Sequence, residues 1–293
     1  MNDLPFAFCD SVLEIIQSSN TLANLHALCA DEIWNFVIDD HRMKRKELSA
    51  CLKIFGESVF VFEYSNFTDD DPKQCRKYNR CVDLIVVVLN DRDIVRIPPT
   101  DKRLTQKEAI SILGDIVLLT NYGKLRFINS TVYTETEVLT DVFKLLDLTY
   151  VKHIEMSYCG WRGNRFLRKQ MENPFLCELR LDGDWGGHLI TDIEKFACRN
   201  AVTMIDLGDS PSLEMTLDFF DQFVQKRMKD KKKCFFRVSV EFPLNMLENY
   251  RTHLRDRSEH RAFGFFWRFS KKFGLNLTAS DHLVEMYFVK FLL

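Results

Sequence analysis

Five short segments of the form apolar-x-apolar recur through the second half of the chain: Leu125-Arg126-Phe127, Ile154-Glu155-Met156, Leu179-Arg180-Leu181, Ile205-Asp206-Leu207 and Val238-Ser239-Val240. Their intervals are 29, 25, 26 and 33 residues. Amphipathic helical stretches lie between them, at Glu135–Leu148, Arg165–Met171, Ile190–Ala197 and Leu217–Met228. Strands joined through helices at this spacing run parallel, with right-handed crossovers. Apolar residues two apart put one face of each strand into a core and its middle residue on the other face. Stacked in register, the middle residues Arg126, Glu155, Arg180, Asp206 and Ser239 form a lateral row whose charges alternate in sign. With strands ~4.8 Å apart, each exposed pair contributes about 0.2–1 kcal/mol. Such a row is either a self-satisfied surface or a polar face for a charged partner. Trp161 and Trp185 follow their strands on the expected rim of this face. With Glu155, Arg180 and Asp206 they are the predicted target-binding set, because large aromatics anchor interfaces.

A unit of 25–33 residues resembles a leucine-rich repeat, whose units bury an apolar face only by stacking on neighbours. The consensus Asn turn is absent, so the array reads as degenerate, and an ordinary doubly wound α/β sheet is the alternative. After the array, Asn245–Glu259 reads as a charged helix, Phe263–Phe269 is aromatic-rich and His282–Val289 alternates as a strand. A terminal hairpin or cap is expected, as the last unit has no neighbour to cover it.

The N-terminus carries a second pattern. From Leu4 and Pro5, apolar residues fall at Phe8, Val12, Leu13 and Ile16, then at Leu22, Leu25, Leu28 and Cys29, with Trp34 beyond. Offsets of three and four place them on one stripe of each of two short helices, with Asp10 or Ser11 expected to cap the first and Thr21 the second. This pattern resembles an F-box, the helical motif that docks a substrate receptor onto the Skp-type adaptor of a cullin ubiquitin ligase. The resemblance places Leu4, Pro5, Phe8, Val12, Leu13, Ile16, Leu22 and Leu25 at the adaptor. A bare structural reading is that both helices cap the downstream core. Together with the β-containing middle and the Leu-rich second half, the chain resembles the nematode-type families of F-box proteins with an associated C-terminal domain.

Between these regions, Met43–Phe55 has helical period, Ser58–Tyr64 reads as a strand, and Val82–Leu89 is the β-branched run of a strand buried on both faces. Thr105–Leu119 reads as a helix. The expected class is therefore α/β: an F-box-like helical segment over 1–41, a connecting α/β region over 42–119, and a leucine-rich-repeat-like β-α domain with a cap over 120–293.

With 46% hydrophobic and 28% charged residues the chain is globular in composition, and a net charge of -2 argues against a dedicated nucleic-acid binder. Nine cysteines, odd in number and spread along the chain, read as small buried hydrophobes of a reducing compartment. With no basic leader and no long apolar run, no membrane is expected and a cytoplasmic or nuclear setting is.

Chemistry-bearing motifs are sparse. Gly183, Gly186 and Gly187 surround Trp185 without the Lys-Ser/Thr that follows a phosphate loop. The seven histidines are scattered, and Asp69–Asp71 lacks calcium-loop spacing. No catalytic, metal or cofactor residue is predicted. The expected role is that of a non-enzymatic substrate-recognition subunit, binding a Skp-type adaptor through its N-terminus and an unknown protein target through its C-terminal domain. A scaffold with no ubiquitin link is the main alternative, and an enzyme on a parallel sheet the third.

Overall fold

The computed structural model describes residues 6–15, 19–28, 32–56, 58–65, 79–90, 93, 97–98, 101–120, 123–130, 137–210, 212–243, 246, 262–270, 273–280 and 283–290. The fold is mixed α/β, and the chain divides into two compact units: residues 1–126 with 136–151, and residues 127–135 with 152–293.

In the first unit, helices α1 (Phe6–Ile15), α2 (Ser19–Leu28) and α3 (Glu32–Lys44) pack together, α1 and α2 each against α3. Asp10 and Ser11 lie inside α1 and Thr21 inside α2, so none is a cap, because each helix begins earlier than the apolar stripe indicates. Strands β1 (Lys46–Phe55), β2 (Val59–Ser65), β3 (Asn79–Leu89) and β4 (Arg103–Leu104) follow, ordered β4-β2-β1-β3. β1 is parallel to β3 and antiparallel to β2. The helix expected over Met43–Phe55 is therefore wrong from Lys46 onward. Leu48, Ala50, Leu52 and Ile54 are all buried at a spacing of two, and pairing on both edges overrides the helix-forming Lys and Glu of that stretch.

Helix α4 (Gln106–Leu119) covers this sheet and packs on α5 (Glu137–Leu146). Its start is a capping box: the Glu108 backbone N–H donates to the Thr105 hydroxyl, and the Thr105 backbone N–H donates back to the Glu108 carboxylate at 2.8 Å. The bond from the Thr105 backbone, then that from its hydroxyl, lowers the Glu108 carboxyl pKa.

Strand β5 (Lys124–Asn129) crosses the division, and the second unit continues as β6 (His153–Ser157), α6 (Gly160–Glu172), β7 (Glu178–Asp182), α7 (Ile190–Ala197), β8 (Met204–Asp209), β9 (Glu214–Met215), α8 (Leu217–Asp230) and β10 (Cys234–Val240). Strands β6, β7, β8 and β10 are neighbours in chain order and all parallel. Ile154, Met156, Leu179, Leu181, Ile205, Leu207, Phe236 and Val238 are buried on one face. The alternating residues on the other face are mostly polar and part-exposed, with Met204 and Phe235 apolar among them and Asp206 buried. A doubly wound sheet reverses its strand order; β6, β7, β8 and β10 follow one another without such a reversal. Leu181→Ala is expected to cost about 2–5 kcal/mol, and Arg180→Ala, one residue away on the other face, less than about 1 kcal/mol. Urea melts of both variants check the assignment of faces, and equal losses would contradict it.

Two helices of this unit, α6 and α7, are closed at their C-termini by arginines from later in the chain. Arg199, after α7, donates to the Met171 and Asn173 carbonyls that end α6, at 2.5 and 2.6 Å. Arg227, on α8 and fully buried, donates through one nitrogen to the Ala197 and Arg199 carbonyls beyond α7, at 2.5 and 3.2 Å, and lies over the Phe223 ring. The last carbonyls of a helix have no partner within it; here the neighbouring unit supplies one, and burial lowers the Arg199 pKa.

Strands β11 (Ala262–Ser270), β12 (Phe273–Ser280) and β13 (Leu283–Lys290) form an antiparallel meander, with β13 antiparallel to β10. Where a terminal hairpin or cap is expected, three strands continue the sheet beyond β10. Apart from residue 246, the charged helix read over Asn245–Glu259 lies outside the described residues.

Candidate functional site

Two surfaces have the character of binding sites, one on each unit. The first is the three-helix segment. Cys9, Leu13, Leu22, Val37 and Ile38 form its own buried core, with Leu25 and Trp34 packed against it. A polar latch fixes α1 to the end of α3. Buried His41 contacts Asp10 through Nε2 at 2.9 Å, and Arg45 donates to the Leu13 carbonyl at 2.9 Å. Burial, then repulsion from Arg80, pulls the Arg45 pKa down to about 10, which leaves it charged at neutral pH.

Of the predicted adaptor-binding residues, Leu13 and Leu22 are fully buried, so they hold the helices together and cannot touch a partner. Helices this short need such a core to persist in water. Phe8 is 49% exposed, Val12 and Leu25 are part-exposed, and Leu4, Pro5 and Ile16 lie outside the described residues. The sequence reading missed Ile33, Phe36 and Met43, which are exposed together with Leu28. The signal was in α3 itself: Ile33, Trp34, Phe36, Val37 and Ile38 are too many apolar residues in six positions for one buried stripe. With Phe8, that makes five large apolar side chains exposed within 36 residues.

The second surface is the mostly polar face of the sheet in the second unit, opposite the buried one. Glu155 pairs with Arg180, Arg180 with Asp206, Asp206 with Arg237 and Arg237 with Glu285 across β6, β7, β8, β10 and β13. The alternating row is present, but its β10 member is Arg237 and not Ser239. Shifting a strand by two residues keeps its faces and changes only its lateral neighbour, so the pattern alone pointed to the wrong residue. Arg126 pairs with Asp83 in the first unit.

Arg237 holds Asp206 through two bonds, from Nε at 2.6 Å and Nη2 at 3.1 Å. Gly208 makes room for it, since a Cβ there would come 2.5 Å from the Arg237 Nε. Arg180 is looser, 3.9 Å from Glu155 and 3.8 Å from Asp206, with its side chain 43% exposed. In the next row His153 contacts Glu178, and Phe235 lies beside Tyr287 with ring centres 4.6 Å apart and the rings tilted by 39°. This aromatic pair was not legible beforehand, because β10 and β13 are brought together only by the terminal meander.

Trp161 and Trp185 are not twin anchors. Trp161 opens α6, is 53% exposed, and has the Arg162 guanidinium 5.0 Å from its ring. Trp185 is fully buried: its Nε1 donates to the Asp182 carbonyl at 2.9 Å and its ring meets Tyr158 edge-on. Gly183, at φ 93°, makes the left-handed turn two residues before it.

Thiols show the opposite of nucleophile tuning. Burial raises Cys81 and Cys234 to about 11 each, and nucleophilic thiols need a lowered pKa. Among the described residues no three His, Cys, Asp or Glu side chains are grouped to hold a metal, and no helix is long and apolar enough to cross a membrane. No family model, curated protein or solved structure matches the chain.

Proposed function

We propose that this chain is a substrate-recognition subunit of an SCF-like, cullin-type ubiquitin ligase. The observation that carries the proposal is the N-terminal segment, which begins Leu4-Pro5, builds its own small core, and still exposes Phe8, Leu28, Ile33, Phe36 and Met43. An apolar surface on a self-packed helical segment fits an adaptor that buries it. The second unit, a leucine-rich-repeat-like succession of parallel strands with one mostly polar face, fits the task of holding a protein target. No chemistry is asked of the chain itself. Holding an acceptor lysine near a ubiquitin-charged enzyme raises its effective concentration, which is sufficient for transfer by the other subunits.

Co-expression with a Skp-type adaptor tests this. Wild type is expected to co-purify with it, and Phe8→Ala with Phe36→Ala to lose it by at least roughly tenfold in Kd while the melt moves little, both rings being exposed. Failure of the wild-type chain to capture any Skp-type adaptor would reject the reading. A non-enzymatic scaffold without a ubiquitin link is the second reading, favoured by the complete burial of Leu13 and Leu22. It predicts that residues 1–41 matter only for stability.

A further inference from the structure

We infer that two copies of this chain associate through the outer edge of β11, the two strands lying antiparallel about a twofold axis so that one sheet continues into the other. This goes beyond the proposed role as a substrate receptor and does not depend on it.

β11 ends the strand order, with β12 on one side and, among the described residues, no strand on the other. In antiparallel pairing alternate residues turn both N–H and C=O to the same side, so every second residue of this strand presents its main chain to the outer edge. Such an edge is a template for another strand, and proteins blunt it with short strands, Pro or charge. At the other end of the order β4 has two residues, whereas β11 has nine, no Pro and one charged residue, Arg268. Its single irregularity, between Arg268 and Ser270, lies at the end and leaves residues 262–268 in regular register with β12.

The sequence of the strand, Ala-Phe-Gly-Phe-Phe-Trp-Arg-Phe-Ser from Ala262 to Ser270, selects the occupant. With the twofold axis at Phe265, Phe263 meets Trp267 of the second copy and Gly264 meets Phe266. With the axis at Phe266, Phe265 meets Trp267 and Phe263 meets Phe269. Aromatic pairs across strands are favourable, and like charges directly opposite are not. Arg268 meets Ala262 in the first register and Gly264 in the second, so neither register opposes like charges. A charged target segment finds a single guanidinium along the whole strand, which is why the second copy fits better. Isologous pairing of this kind closes at two copies.

Phe265 and Trp267 stand opposite Leu277 and Leu275, both buried, while Phe266 stands opposite Asn276, which is exposed. Position 266 can therefore be altered on the side away from the core. In either register it lies directly opposite or diagonal to its own counterpart. The test is sedimentation velocity of the full chain over a wide range of concentration. Wild type is expected to dimerise, Phe266→Lys and Phe266→Glu each to weaken self-association by roughly tenfold or more through like-charge repulsion, and an equimolar mixture of the two to recover a dimer. Melts matching that of wild type exclude unfolding as the cause. Hydrogen exchange on the wild-type chain needs no variant: alternate amides of β11 are expected to slow as the dimer fills. A chain that stays monomeric, a dimer whose β11 exchange is indifferent to concentration, or a lysine variant that associates like wild type would overturn the proposal. Monomeric variants that recover no dimer on mixing would overturn it as well.

Discussion

Trp185→Ala is expected to destabilise the chain by about 3–5 kcal/mol, the range for deleting a fully buried Trp. The ring is the largest completely buried side chain among the described residues, closes the turn after β7, and meets Tyr158 with ring centres 5.4 Å apart. Trp185→Phe keeps much of the apolar volume but leaves the Asp182 carbonyl without the indole donor, and is expected to cost about 1 kcal/mol for the bond plus a smaller packing loss. Chemical denaturation of both variants distinguishes packing from hydrogen bonding; an Ala variant as stable as wild type would show that the ring is not packed as described. It follows that loss of target binding in Trp185→Ala would report unfolding, while Trp161→Ala is free of that ambiguity because its ring is half exposed.

Arg227 carries the second large effect. Arg227→Ala is expected to cost about 3–5 kcal/mol, as it combines a buried cavity with two helix-terminal carbonyls that lose their donor. Arg227→Met refills the space over Phe223 and restores no donor, so it should recover part of the loss and remain about 1–3 kcal/mol below wild type. Replacing a buried charge by an apolar group is neutral or stabilising in some proteins. A methionine variant as stable as wild type would therefore show that desolvating the guanidinium costs as much as its two bonds return.

The parts of this fold legible in the sequence were those governed by local periodicity. α4, α7 and α8, and strands β2, β3 and β5 to β8, lie where apolar spacing placed them within a few residues, since each buries one regular face. Non-local pairing governs what was missed. β1 carries helix-forming residues but is clamped between β2 and β3. The row member on β10 is fixed by a partner 31 residues away, which periodicity cannot see. The aromatic pair depends on β13, some 50 residues beyond Phe235. At the N-terminus the apolar positions were identified but their division was not: Leu13 and Phe8 are alike in the sequence, and only the packing of α1 on α3 makes one core and the other surface.

The arginine closures bear on how the chain folds as it is made. Only water can satisfy the last carbonyls of α6 until Arg199 has emerged, and those at the end of α7 until Arg227 has, some 28 residues after the groups they bond. During synthesis each helix therefore stays unfinished for the length of one further unit, and completion moves along the nascent chain one step behind the ribosome. A chain cut within α8 strands the unit before it as well, so a premature stop late in the message forfeits more structure than the residues it removes.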